Sequence, residues 1–177
     1  MTFAAAEMGD VSNSGGDRPD HAAHANARAT RARAGAALDL LAARPEIDAD
    51  RIAAIGFCFG GTMALELARD GRHLAAVVGF HSGLATQSRA RHGNVKPRIL
   101  ICVGGDDAMI PPEQRRDFED EMRAAGADWQ LHVYGNTVHS FTNQEAAKRN
   151  MPDAIRYSPE ADHRSWASMS ALFDEVF

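Results

Sequence analysis

In the stretch Gly56-Phe57-Cys58-Phe59-Gly60-Gly61 a thiol stands two residues from a glycine on either side. A largely apolar run, Arg51-Ile52-Ala53-Ala54-Ile55, leads into it, and a helix-forming run, Thr62 to Arg69, leads out. Strand, sharp turn and helix in that order make a nucleophile elbow, and Cys58 occupies the place of the nucleophile. The flanking glycines have a steric task. A side chain at Gly56 or Gly60 would crowd the tight turn that holds Cys58 in a strained conformation. A free thiol, with a pKa of about 8.5, is mostly protonated at neutral pH. The N-terminus of the following helix and a nearby imidazole would each favour the thiolate.

An acid and a base would complete the chemistry. Asp106 and Asp107 follow the apolar run Ile99–Val103, and His139 follows Trp129–Tyr134. Nucleophile, acid and histidine therefore come in the chain order expected of α/β-hydrolases. The histidine would accept the thiol proton, or hold it in a thiolate–imidazolium pair, and later protonate the leaving group. The aspartate would fix the histidine tautomer and stabilise the imidazolium. The backbone N–H of Phe59, one residue past the nucleophile, would be one donor to an oxyanion. The second donor is expected from a loop after an earlier strand.

The elements that must position these groups alternate. Residues 2–6 read as the end of a strand, and residues 9–26, rich in Gly, Ser, Asp and His, as a surface loop. A helix is expected over residues 27–44, with Ala36, Ala37, Leu40 and Leu41 on its apolar face, Arg28, Arg31 and Arg33 on a solvated face, and Pro45 ending it. The strand Ile52–Ile55 and the elbow helix follow, with Gly71 as C-terminal cap. The runs Leu74–Phe80, Ile99–Val103 and Trp129–Tyr134 are short, apolar and bounded by Gly, Pro or charge, as parallel strands buried on both faces are. Helices are expected at Pro112–Ala125 and at about Asp162–Phe177. About five strands alternating with helices imply one α/β domain over residues 1–177 with a mostly parallel sheet. Its ligand site should lie outside the carboxyl ends of the strands, where Cys58, the Asp106–Asp107 pair and His139 all fall.

Composition excludes several classes of function. With 19 Lys and Arg against 24 Asp and Glu the net charge is −5, and no basic block offers a footprint for nucleic acid or an anionic membrane. No apolar stretch approaches the roughly 20 residues that span a bilayer, and residues 1–7 lack the pattern of a signal peptide. Cys58 and Cys102 are too few for a disulfide framework, which points to a reducing, cytoplasmic setting. Cys102, inside an apolar run, reads as core. No Cys or His pair has metal-ligand spacing, so neither a metal nor another cofactor is expected.

The combination of motifs resembles the dienelactone hydrolase family of α/β-hydrolases, whose nucleophile is the Cys of G-x-C-x-G-G. The matching segments are Gly56–Gly61, Gly104-Gly105-Asp106-Asp107-Ala108-Met109-Ile110-Pro111 and Val138-His139-Ser140-Phe141. The family's D-x-x-[V/I]-P selects Asp107 over Asp106 as the acid, and its H-x-F selects His139 as the base. Phe80-His81-Ser82-Gly83 resembles the family's loop lining the active site, so His81, with Phe57 and Phe141, is expected to contact substrate. The resemblance implies an α/β-hydrolase-like three-layer sandwich that cleaves a small carboxylic ester or lactone through a thiol acyl-enzyme, without cofactor. Two departures accompany it. The family fold begins with several strands before the segment that Phe3–Glu7 resembles, so the chain reads as lacking the N-terminal portion, which would carry the second oxyanion donor. The family also clamps a substrate carboxylate with arginines, one of them four residues past the histidine, where this chain has Asn143. The alternative reading is a catalytically inactive remnant persisting as a folded or partner-bound domain. A further one keeps the fold and changes the reaction to acyl transfer or peptide cleavage.

Overall fold

A computed structural model describes residues 27–177. The strand expected at 2–6 and the loop at 9–26 lie outside the described residues. In chain order the elements are α1 (Ala27–Ala42), a 3₁₀ turn (Ala49–Arg51), β1 (Ala53–Phe57), α2 (Phe59–Arg69), β2 (Ala76–Phe80), β3 (Arg98–Gly104), α3 (Pro112–Ala125), β4 (Trp129–Tyr134), a second 3₁₀ turn (Ala146–Arg149) and α4 (Pro159–Val176).

Among the described residues the strands form one four-stranded sheet in the order β1-β2-β3-β4, and every pairing is parallel. Parallel neighbours need crossovers: α2 links β1 to β2 and α3 links β3 to β4, both on one face, residues 81–97 link β2 to β3 without a helix, and α4 covers the other face. The two-residue period of the strands sorts their side chains between two cores. Val77 of β2 with Ile99, Ile101 and Val103 of β3 faces Ala64, Leu65, Leu67 and Ala68 of α2 and Phe118 and Met122 of α3. Val78 and Phe80 of β2 with Leu100 and Cys102 of β3 faces Ala161, Met169, Leu172 and Phe173 of α4. The result is the three-layer α/β architecture expected, with β2 and the interior of β3 wholly covered.

Helix ends follow local chemistry. Past α2, Gly71 takes φ +77°, the Gly71 N–H reaches the Ala68 carbonyl and the Arg72 N–H reaches the Leu67 carbonyl. This pairing is a Schellman motif, and its left-handed residue favours glycine. α4 begins with the Ser158 hydroxyl accepting the Ala161 N–H and Pro159 in its first turn.

The inner face of α1 differs from the expectation. Ala36, Ala37 and Leu40 point to solvent, Leu40 being 74 % exposed, whereas Ala34, Leu38, Leu41 and Ala42 pack on the core and Thr30 and Gly35 are buried. Alanines are spread almost all round this helix, so hydropathy alone defines no single stripe. Polar pairing orients it instead. Arg31, expected on a solvated face, donates from Nε to Glu66 of α2 at 2.8 Å and from Nη2 to the Ser88 carbonyl at 2.6 Å. Glu66 also accepts from Arg69, which is fully buried and makes a two-pronged pair with Glu121 of α3 at 3.0 and 2.8 Å. Two cations and two carboxylates thus join α1, α2 and α3.

Candidate functional site

Three strand ends converge. Cys58 caps the N-terminus of α2 directly after β1, with φ +50° and ψ −122°, a conformation few side-chain-bearing residues adopt. Such a residue costs on the order of 1–3 kcal/mol, and the surroundings must hold it. Here the Cys58 N–H donates to the Phe80 carbonyl at 3.0 Å, and the Cys58 carbonyl accepts from the N–H groups of Gly61 and Thr62. The glycines make room. A Cβ on Gly56 would lie 2.2 Å from the carbonyl carbon of Gly60, and one on Gly61 would lie 1.8 Å from Ser82 Oγ.

Asp107 lies past the end of β3 and is buried, while its neighbour Asp106 is exposed. One Asp107 carboxylate oxygen accepts the Met109 N–H at 2.9 Å, which leaves the other for His139. His139 lies in the loop after β4, and a segment the sequence reading did not single out pins it. The His139 N–H donates to the Ala154 carbonyl, and the His139 carbonyl accepts from Arg156, forming a bridge with Ile155. The side chains form a line. Cys58 Sγ lies 3.2 Å from His139 Nε2, and the His139 Nδ1–H donates to Asp107 Oδ2 at 2.8 Å. The Cys58 side chain is exposed, whereas the other two are buried.

Burial by itself would discharge the His139 ring. The Asp107 hydrogen bond, the Cys58 hydrogen bond and the negative charges of both partners outweigh that, and the pKa stands at about 9. The ring is therefore an imidazolium at neutral pH, facing the sulfur.

The remaining predicted residues separate. Phe59 is the first residue of α2, so its N–H has no acceptor within the helix and lies beside Cys58. Phe57 is 40 % exposed, stacks on Phe80 with centroids 4.9 Å apart and lies 6.2 Å from the His81 ring. Phe141, also expected to contact substrate, is wholly buried, packed edge-on against His81 at 5.3 Å and against Tyr134, and has no surface to offer a ligand. Its task is to support His81. His81 itself is buried at the end of β2, takes φ +40°, and its Nε2 lies 2.9 Å from the hydroxyl of Thr142, a partner the sequence motif did not reveal. Among the described residues its buried Nδ1 has no hydrogen-bond partner on another residue. Burial, and next the charge on His139, push its pKa down to about 3. Cys102 is buried within β3, and burial pushes its thiol up to about 12, as befits core.

A parallel sheet between helical layers, with a strained residue at a strand–helix elbow, is the α/β-hydrolase architecture. Comparison with known proteins narrows this. The dienelactone hydrolase family profile matches residues 18–177. A protein of Caenorhabditis elegans, itself uncharacterised, is 32 % identical over 146 residues, covering 80 % of this chain and 90 % of its own length. A Bradyrhizobium sp protein named "Probable 2-oxo-3-(5-oxofuran-2-ylidene)propanoate lactonase" is 31 % identical over 74 % of this chain and 53 % of its own length. The crystal structure of a dienelactone hydrolase-like promiscuous phosphotriesterase from metagenomic libraries superposes with a TM-score of 0.83 at 42 % identity, over 89 % of this chain and 66 % of that one. The chain belongs to the dienelactone hydrolase family. It spans about half the length of the Bradyrhizobium relative and just under two thirds of the superposed structure. Among the described residues no helix is long and apolar enough to cross a membrane.

Proposed function

We propose that this chain hydrolyses a small carboxylic ester or lactone through a covalent thioester on Cys58. The observation that carries the reading is the unbroken line from Cys58 Sγ to His139 Nε2 at 3.2 Å and from His139 Nδ1 to Asp107 Oδ2 at 2.8 Å, built past the carboxyl ends of β1, β3 and β4. The Cys58 thiolate attacks the carbonyl carbon, and the carbonyl electron pair moves to oxygen, where the Phe59 N–H donates to it. As the tetrahedral intermediate collapses, the C–O bond to the leaving group breaks and the His139 imidazolium gives that oxygen its proton. Neutral His139 then takes a proton from water, the resulting hydroxide attacks the thioester, and the C–S bond breaks. The carboxylic acid leaves and the thiolate–imidazolium pair is restored. Asp107 holds the ring in the tautomer this needs.

The family membership and the lactonase name of the Bradyrhizobium relative support ester or lactone chemistry. Asn143 stands where the family's arginine would clamp a carboxylate, and its side-chain oxygen accepts the Glu145 N–H, so the substrate assigned here carries no carboxylate at that end. A nucleophilic thiol that forms no disulfide persists in a reducing compartment, and we place the protein in the cytoplasm on that ground.

The test is hydrolysis of p-nitrophenyl acetate by residues 1–177 and by Cys58→Ala, with an intact-mass search for the acetyl adduct. Turnover and an adduct, both lost in the variant, are expected. A folded wild-type chain with neither would favour the inactive-domain reading.

A further inference from the structure

Two histidine nitrogens and one sulfur face the same space, and of these Cys58 Sγ and His139 Nε2 already share a hydrogen bond. A ring nitrogen of His81, a ring nitrogen of His139 and Cys58 Sγ all lie within 4.8 Å of one another, although they come from the ends of β2, β4 and β1. The spacing of these residues in the chain gives no hint of this, because only the parallel topology assembles them.

Each histidine already has one nitrogen committed to an oxygen. The His139 Nδ1–H is given to Asp107 at 2.8 Å. His81 Nε2 lies 2.9 Å from Thr142 Oγ1, and with that nitrogen as the donor, Nδ1 presents a bare lone pair. That Nδ1 is buried and, among the described residues, has no hydrogen-bond partner on another residue, which is an unusual and costly state for a polar atom in a core. The His81 backbone is held at φ +40°, and its ring stands edge-on to His139 with centroids 5.0 Å apart. A strained, buried histidine whose lone pair no described residue satisfies thus stands beside the hydrogen-bonded Cys58–His139 pair, where a cation could replace the shared proton.

We propose that Cys58, His81 and His139 form a binding site for one zinc-class divalent cation, and that its occupation silences the nucleophile. One thiolate and two imidazoles suit zinc, and their softness disfavours magnesium and calcium. Zinc bonds of about 2.3 Å to sulfur and about 2.0 Å to nitrogen set tetrahedral ligands roughly 3.3–3.6 Å apart, so the donors need draw in by at most about 1.5 Å at the longest separation. Asp107 and Thr142 are placed as the outer partners that fix the ring orientation of metal-bound histidines. The fourth position opens toward solvent past the exposed Cys58. On binding, the sulfur electron pair forms the Zn–S bond, and the single proton of the thiolate–imidazolium pair leaves His139 for solvent. One proton is released per ion, and neither the attacking electron pair nor the acid remains available.

Binding by itself does not depend on the esterase reading, but its inhibitory consequence rests on it. The test therefore reads the two separately. The purified chain, in a non-thiol reductant, is titrated with Co²⁺ as optical probe and with Zn²⁺ by calorimetry in buffers of different ionisation enthalpy. The expected result is a thiolate-to-cobalt charge-transfer band saturating at one equivalent, with one proton released per ion. Cys58→Ala should abolish the band, and His81→Asn, which tolerates positive φ, should weaken binding at least 10-fold. Cys102→Ala should leave it unchanged. If His81→Asn fails to fold by circular dichroism, the wild-type band, its loss in Cys58→Ala and the proton count decide the matter. No cobalt–thiolate band in folded wild-type protein overturns the site, as does a band of undiminished affinity in folded His81→Asn. Zn²⁺ should abolish p-nitrophenyl acetate turnover with the dissociation constant seen by calorimetry, and EDTA should restore it. Turnover without metal uptake would sink this proposal and leave the esterase reading standing, whereas metal uptake without turnover would do the reverse.

Discussion

His81 and His139 meet edge to face with ring centroids 5.0 Å apart, and their proton affinities are displaced in opposite directions. Burial, then the charge on His139, holds His81 down to about 3. The Asp107 and Cys58 partners overcome burial and lift His139 to about 9. An unfolded histidine titrates near 6.5. The raised group contributes stability that is full below about pH 6.5 and is lost as pH rises through about 9. The depressed group costs nothing above about pH 6.5, and its cost grows as pH falls toward 3. The pair therefore places its stability maximum near pH 6.5. Melting temperatures of wild type, His139→Gln and His81→Asn across pH 4–10 check this. The wild-type advantage over His139→Gln should shrink between about pH 6.5 and 9, and His81→Asn should flatten the acid limb. An advantage over His139→Gln that grows with pH would contradict the charged pair.

Asp106 and Asp107 are chain neighbours with unlike surroundings, and only Asp107 reaches His139. Asp107→Asn keeps the shape but removes the acceptor that sets the tautomer. It should lower kcat for p-nitrophenyl acetate by roughly 10²- to 10⁴-fold. Asp106→Asn, at an exposed position, should stay within about 2-fold of wild type, as surface changes mostly do. Equal losses in the two variants would refute the assignment of the acid.

The two glycines of the elbow should respond differently to a methyl group. At Gly56 it would meet the backbone of Gly60 and Gly61 at 2.2 Å, and backbone cannot yield. At Gly61 it would meet Ser82 Oγ at 1.8 Å and Ser82 Cβ at 2.8 Å, both in one side chain, and also the Gly56 carbonyl oxygen at 2.8 Å, so only part of the clash can be relieved at Ser82. Overpacking commonly costs about 1–3 kcal/mol and sometimes more, and Gly56→Ala belongs at or above the top of that range. Ser82→Gly should recover part of the loss in Gly61→Ala and none in Gly56→Ala. Urea unfolding of the single and double variants measures the coupling.

Much of this was legible in the chain because local rules and tertiary packing agree. Gly56–Gly61 forms its turn for steric reasons that are visible in the residues, and the alternation of apolar runs with helical ones implied the parallel sheet. The residues alone left Asp106 and Asp107 open, and the resemblance to the family's D-x-x-[V/I]-P pattern favoured Asp107. Three features were not legible, each for a physical reason. The inner face of α1 was misread because alanine carries little directional signal, and the deciding contact, Arg31 to Glu66, is a long-range ion pair. Phe141 was expected against substrate, but the turn after His139 folds it under His81 instead. The clustering of Cys58, His81 and His139 depends on three crossovers, which no short spacing encodes.

Arg69 shows how the elbow helix is tied to the rest of the domain. Its guanidinium is wholly buried and donates to Glu121 twice, to Glu66, and to the Leu84 carbonyl at 2.6 Å. Leu84 lies just past the Phe80–Gly83 segment, so this one side chain joins α2, α3 and the loop bearing His81. Removing it leaves Glu66 with Arg31, but leaves Glu121 buried with only the Ala90 N–H. Breaking a buried pair by deleting one partner costs about 3–5 kcal/mol, mostly because a charge is left uncompensated. Arg69→Met should lose that much in urea unfolding, and adding Glu121→Gln should recover a substantial part, since the orphaned charge is then gone. If Arg69→Met costs under about 1 kcal/mol, or Glu121→Gln recovers nothing, the network is not what fastens α2 to α3.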